Sequence, residues 1–223
     1  TFAGNMKLHY DRPAEYFEEA LVIGNGTMGA TLYGGVKKDK ISFNDITLWT
    51  GEPESENSSP DAFNTIPEIR ALLDNEDYQG ADKAQYKVQG HYSENYQPLG
   101  TLTIEYLDDT VGISDYHRWL DIGNATARTQ YLKGGKLFTS DYFASAPDSV
   151  IVIRLKSENK EGIYALLSFD SPLPHSSQVA DNEISVEGYA AYHSFPVYYK
   201  AEDKHRYDPE RGIHFKTLVR VLS

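Results

Sequence analysis

The chain has 223 residues, 40% of them apolar, with 33 Asp and Glu against 21 Lys and Arg for a formal net charge of −12. That apolar share supports a packed core and excludes intrinsic disorder, while the acidic balance excludes nucleic-acid binding and disfavours anionic membrane surfaces and strongly acidic polysaccharides. Cys is absent, which removes disulfides and thiolate metal sites and suits a bacterial protein of any compartment, and no apolar run approaches the roughly 18 residues of a membrane span.

In chain order, Phe2–Tyr10 reads as a first strand and Pro13–Ala20 as a turn leading into a loop or a single helical turn. Leu21–Ile23 and Met28–Tyr33 flank Gly24-Asn25-Gly26, a strong hairpin signal. Gly34-Gly35 marks a second turn, and Lys37–Asp39 turns into a strand at Ile41–Phe43. Glu52–Phe63, acidic and rich in Ser and Pro, reads as a long exposed loop.

Helical spacing then appears. Thr65-Ile66-Pro67-Glu68 has the form of a capping box, with Ile66, Ile69, Leu72 and Leu73 on one face. A second helix is expected over Tyr78–Val88. Period 2 returns at Thr101–Leu107, Trp119–Ile122 and Ala125–Tyr131, and Gly134-Gly135 closes a hairpin onto Lys136–Phe143. Ser149–Lys156 is mostly apolar, the pattern of a central strand covered on both faces. Ile163–Ser168, Glu183–Glu187 and His214–Leu222 complete at least ten strands. The expected fold is mostly β: a large antiparallel β super-sandwich with a short two-helix insertion around residues 65–88.

Few motifs carry chemistry. Gly24-Asn25-Gly26-Thr27-Met28-Gly29 has the G-x-G-x-x-G form, but β pattern follows it where a nucleotide site needs a helix. The seven His show no zinc-ligand spacing, and G-x-S-x-G is missing. No metal and no cofactor is expected. Asp45, Glu52, Asp121 and Asp141 are the carboxylates nearest apolar strands, and nothing in the sequence pairs any two as glycoside hydrolysis requires. Asn44-Asp45 and Thr47-Leu48-Trp49 set polar groups beside an indole at a strand end, suiting either sugar hydroxyls or a tight turn. The 17 Tyr serve strands and core as readily as sugar stacking. Three triplets, at Asn25, Asn57 and Asn124, fit the N-glycosylation pattern, which is common by chance.

Together these segments resemble the N-terminal domain of glycoside hydrolase family 95, the inverting α-L-fucosidases, with its family-65-like β-sandwich. The matching pieces run in order over nearly the whole chain. They include Leu8-His9-Tyr10, Ile23-Gly24-Asn25-Gly26, Met28-Gly29-Ala30, Tyr33-Gly34-Gly35, Asn44, Thr47-Leu48-Trp49-Thr50-Gly51, Tyr96-Gln97-Pro98-Leu99-Gly100, Arg118, Leu120-Asp121 and Phe143-Ala144-Ser145. Val22, Asp45 and Thr101 stand where the family usually has Pro, Glu and Asp.

The resemblance implies that residues 1–223 form one N-terminal sandwich domain, followed in the full-length protein by a catalytic (α/α)6 barrel that is its partner. No catalytic residue falls in this chain, which alone is expected to be inactive. Fucosylated glycans are the implied substrates, in an extracellular or periplasmic setting. Asn25, Asn44, Trp49, Tyr96 and Gln97 are the implied candidates for the rim of the substrate site. A stand-alone carbohydrate-binding module, or the same domain in an α-L-galactosidase, is the alternative.

Overall fold

Alternation of apolar and polar residues builds most of this chain, because successive side chains of a strand point to opposite faces. The computed structural model describes residues 6–53, 59–90, 92–108 and 112–222. Its strands are β1 (Lys7–Tyr10), β2 (Leu21–Gly24), β3 (Met28–Leu32), β4 (Lys38–Asp45), β5 (Gly100–Tyr106), β6 (Ile113–Asp121), β7 (Thr126–Lys133), β8 (Lys136–Ser145), β9 (Val150–Ser157), β10 (Ala165–Asp170), β11 (His175–Ala180), β12 (Glu183–Tyr189), β13 (His193–Ser194), β14 (His205–Arg206) and β15 (His214–Arg220). Two helices, α1 (Ala62–Asp74) and α2 (Tyr78–Gln85), lie between β4 and β5. The backbone divides into two units: Thr1–Trp49 with Tyr96–Ala190 and Ile213–Ser223, and Thr50–Asn95 with Ala191–Gly212.

The first unit is the expected antiparallel sandwich. One sheet has the order β1-β6-β7-β8-β9, the second β10-β5-β4-β3-β2, and a third β11-β12-β15. Leu21, Ile23, Ala30, Leu32, Ile41, Leu102 and Ile104 of the second sheet share one buried cluster with Ala127, Tyr131, Phe138 and Tyr142 of the first. Val186 of the third sheet joins them. Strand β5 buries every second residue. The Gly134-Gly135 hairpin is a two-residue turn with both φ positive (56° and 74°), the geometry that matches strand twist.

Two polar groups are built into this core. Asp39 is 1% exposed; its carboxylate accepts from Gly35 N (2.9 Å) and from the Tyr142 hydroxyl (2.8 Å), tying the second sheet to the first. Arg118, also 1% exposed, donates from Nε to the Arg12 carbonyl and from Nη1 to the Glu19 carbonyl, both at 2.8 Å. Its guanidinium lies 4.2 Å from the Tyr10 ring centre. The segment between β1 and β2, with a single 3-10 turn at Phe17–Glu19, is thereby pinned to the inner face of β6.

Several sequence expectations are corrected. Asp39 is not in a turn: β4 begins at Lys38, and Asp39 faces inward in register with Ile41. Strand β9 is an edge strand covered on one face, with Ile151, Ile153 and Leu155 packed against the core while Val150, Arg154 and Lys156 are exposed. Strand β11 (HSSQVA) was not foreseen, because all six residues are exposed and give no apolar period. Of the first expected strand, residues 2–5 lie outside the described residues, as do 54–58 of the acidic loop and with them Asn57.

The second unit holds α1, α2, β13 and β14. Helix α1 starts at Ala62, three residues before the expected cap. Thr65 is inside the helix, where its hydroxyl donates to the Asp61 carbonyl (3.0 Å), a bond to the preceding turn rather than a cap. Asp77 caps α2 by accepting from Gly80 N (2.9 Å), and Ala81 and Ala84 are its buried face.

Candidate functional site

The five expected rim residues separate into two places in the first unit. Asn25 and Asn44 lie at the β2–β3 hairpin end of the second sheet, where β4 pairs Asn44 with Gly29 and Asp45 with Met28. Asn25 is engaged in holding this end. Its Oδ1 accepts from Thr27 N (3.0 Å) and Met28 N (2.8 Å), and its Nδ2 donates to the Ser145 carbonyl at the end of β8 (2.9 Å). Asn44 is exposed. Asp45 accepts from the Thr47 backbone (2.9 Å) and hydroxyl (2.6 Å), a local turn that aims the chain towards Trp49.

Trp49, Tyr96 and Gln97 form the second place. Trp49 and Tyr96 are directly opposite each other in an isolated antiparallel bridge. Gln97 N donates to the Leu48 carbonyl (2.8 Å) and extends this pairing. Trp49 is 44% exposed and Tyr96 60% exposed, with the indole oriented by a bond from Nε1 to the Ile46 carbonyl (2.9 Å). Gln97 is buried, its amide nitrogen bonded to the Tyr96 carbonyl (3.1 Å). Exposed aromatic surface therefore comes from Trp49 and Tyr96, whereas Asn25 and Gln97 are occupied by the backbone.

The four carboxylates singled out by sequence are each engaged elsewhere. Asp45 is the turn former just described. Glu52 pairs with Arg211, whose hydrogen bond holds the carboxyl below its ordinary value. Burial pushes Asp121 up, but bonds from the Asn124 backbone and side chain and the charge of Lys7 outweigh it and leave the carboxyl low. Asp141 lies between Arg128 and Arg154 (2.7 Å to Arg154) on the outer face of the first sheet. Burial raises it, and the two guanidinium bonds outweigh burial, so it too is held low. None of the four pairs with another, and Glu52, Asp121 and Asp141 are held below their ordinary values, whereas a glycosidase general acid needs a raised pKa.

The second unit holds a polar network that no local motif announces. Glu94 Oε1 meets His193 Nδ1 at 2.7 Å, and Glu94 Oε2 accepts from the Thr50 hydroxyl and from Ser194 N (3.1 Å). Ser194 Oγ in turn meets His205 Nδ1 at 2.8 Å. Glu94 is about 100 positions from His193 and Ser194, so only the fold brings them together. The Ser–His contact is not a nucleophile: Ser194 is 2% exposed and shut off from any substrate. Among the described residues no group of three or more His, Asp or Glu is placed to hold a metal ion, and no helix is long and apolar enough to cross a membrane.

With this geometry in place, comparison with known proteins is decisive on one point. The model of the N-terminal domain of glycosyl hydrolase family 65 matches residues 8–223. The chain belongs to this family. Alpha-L-fucosidase 2 of Arabidopsis thaliana is 31% identical over 223 residues, covering 97% of this chain and 26% of the plant protein. Probable alpha-fucosidase A of Aspergillus niger is 29% identical over 201 residues, covering 84% of this chain and 25% of its own length. The corresponding protein of Aspergillus oryzae is 29% identical over 145 residues, covering 62% of this chain and 20% of its own. This family-65 N-terminal domain thus spans about a quarter of the length of the first two relatives.

Proposed function

We infer that this chain is the non-catalytic N-terminal sandwich of an inverting α-L-fucosidase of the family-95 kind, which removes terminal α-linked L-fucose from glycans. The observation that carries the reading is the similarity to α-fucosidases over nearly this whole chain and about a quarter of their length. The carboxylates support it: Asp45, Glu52, Asp121 and Asp141 are committed to turns and ion pairs, so this domain offers no acid–base pair from among them. The chemistry then belongs to a barrel elsewhere in the full-length protein, on which this domain packs. Trp49, Tyr96 and Asn44 are its contribution to the substrate rim. The setting is extracellular or periplasmic, where fucosylated glycans occur.

The test is the anomer first released by the full-length protein from a fucosyl-α-1,2-galactoside, followed by proton NMR. Early accumulation of β-L-fucose is expected of inversion. Release of α-L-fucose first, or of no fucose, would overturn the reading.

A further inference from the structure

We propose that an open cleft on the outer face of the third sheet is a binding site for a neutral pyranose, separate from the rim residues. The cleft has a volume of about 670 Å³, within the roughly 300–1,000 Å³ range of small-molecule sites. Register explains its lining. Ser176, Glu187 and Lys216 are directly opposite one another across β11, β12 and β15, and Tyr189 is opposite His214 one row on. Val186 is fully buried against the core, so Glu187 and Tyr189, one and three positions further along β12, point the other way.

The chemistry of that face is specific. Tyr189 and His214 stack with ring centres 5.8 Å apart and planes 29° apart, giving an aromatic wall. Glu187 accepts from Lys216 (2.6 Å), and both side chains are more than half exposed, at 60% and 56%. A surface pair of this kind contributes little to stability and exchanges readily for ligand hydroxyls. Each charge cancels the other, so neither a phosphate nor a free amine is favoured, while a carboxylate acceptor, an ammonium donor and the Ser176 hydroxyl converge on one small volume. A pyranose offers one C–H face for the ring wall and a girdle of hydroxyls for the polar groups.

Pro174 and His175, which also line the cleft, are held by hydrogen bonds. The Pro174 carbonyl accepts from Tyr189 N (3.2 Å), and His175 Nδ1 donates to the Leu173 carbonyl (2.8 Å). Gly188 permits this closeness: a Cβ there would meet the Pro174 oxygen at 2.4 Å and the Phe215 ring at 2.6 Å. The cleft follows from the fold alone; the choice of a sugar as its occupant rests on the glycosidase reading.

Saturation-transfer NMR of the 223-residue chain with methyl α-L-fucoside and methyl β-D-galactoside tests it. Transfer to at least one is expected, weakened about tenfold by Tyr189→Ala and several-fold by Glu187→Gln, with Glu161→Gln on the β9–β10 turn leaving it unchanged. Circular dichroism melts establish that each variant is folded, and Glu187→Gln removes only an exposed ion pair. No transfer to either sugar, or transfer that survives both cleft variants, would overturn the site. Fucose release by the full-length protein is scored apart: its absence, with cleft binding retained, removes the fucosidase reading and leaves the site standing.

Discussion

Three buried or half-buried charges set what single substitutions do. Arg118 satisfies the Arg12 and Glu19 carbonyls, so Arg118→Met strands both in the interior. A loss of about 3 kcal/mol is expected, since hydrogen bonds to charged groups contribute about 1.5–3 kcal/mol each and the methionine recovers part of the packing. Faster proteolysis within residues 11–20 should accompany it; unchanged stability in urea would contradict the pinning role.

Asp39 and Asp141 predict opposite pH dependences. Burial raises Asp39, although hydrogen bonds from Gly35 and Tyr142 oppose it. Between the unfolded value near 3.8 and its higher folded value, the native state holds more protons, so this group's contribution falls as pH rises through that window. Asp141, held low by Arg128 and Arg154 against burial, stabilises fully above the unfolded value and loses that stabilisation as pH falls through its folded one. Asp141→Asn should cost about 1 kcal/mol at pH 7 and almost nothing in strong acid. Asp39→Asn should flatten the acid-to-neutral decline. Denaturant melts across pH check both, and a cost for Asp141→Asn that persists below its folded pKa would refute the ion-pair account.

At the scale of elements, turns hold the sheets in register. Gly134→Val and Gly135→Val each force a β-branched side chain to positive φ in the β7–β8 turn, and should cost about 1–2 kcal/mol through backbone strain alone. Equal melting temperatures for these variants and the parent would mean that the turn changes type freely. This hairpin was legible in the sequence because its geometry is dictated by the two glycines. So were the Asn25 loop and the single turn before β2. The start of α1 was not, because Thr65 and Glu68 have the spacing of a cap while the helix extends back to Ala62. Strand β9 misled through its run of Val and Ile, since periodicity cannot say whether a neighbour covers the second face. Strand β11 carries no apolar signal at all. In the candidate site, residue types were legible but engagement was not: Asn25 and Gln97 have the chemistry of sugar contacts and are spent on backbone groups, and the Glu94–His193 contact depends on residues far apart in sequence.

For the whole molecule, the proposed function gives the sandwich a role in supplying surface rather than reactivity. Its exposed Trp49–Tyr96 pair and the cleft beside Tyr189 are the surfaces proposed to meet carbohydrate, while Asp45, Asp121 and Asp141 are engaged in turns and ion pairs. Trp49→Ala in the full-length protein should raise KM for a fucosyl oligosaccharide several-fold and leave kcat close to the parent value, because a rim contact made equally in ground and transition states acts on binding alone. An unchanged KM would remove Trp49 from the rim. The most direct measurement is free fucose released from a fucosyl-α-1,2-galactoside by residues 1–223 and, side by side, by the full-length protein. Release by the full-length protein and none by this chain is the predicted result. Turnover by the chain alone would mean that a catalytic carboxylate pair exists within it, contradicting the assignment of the chemistry elsewhere.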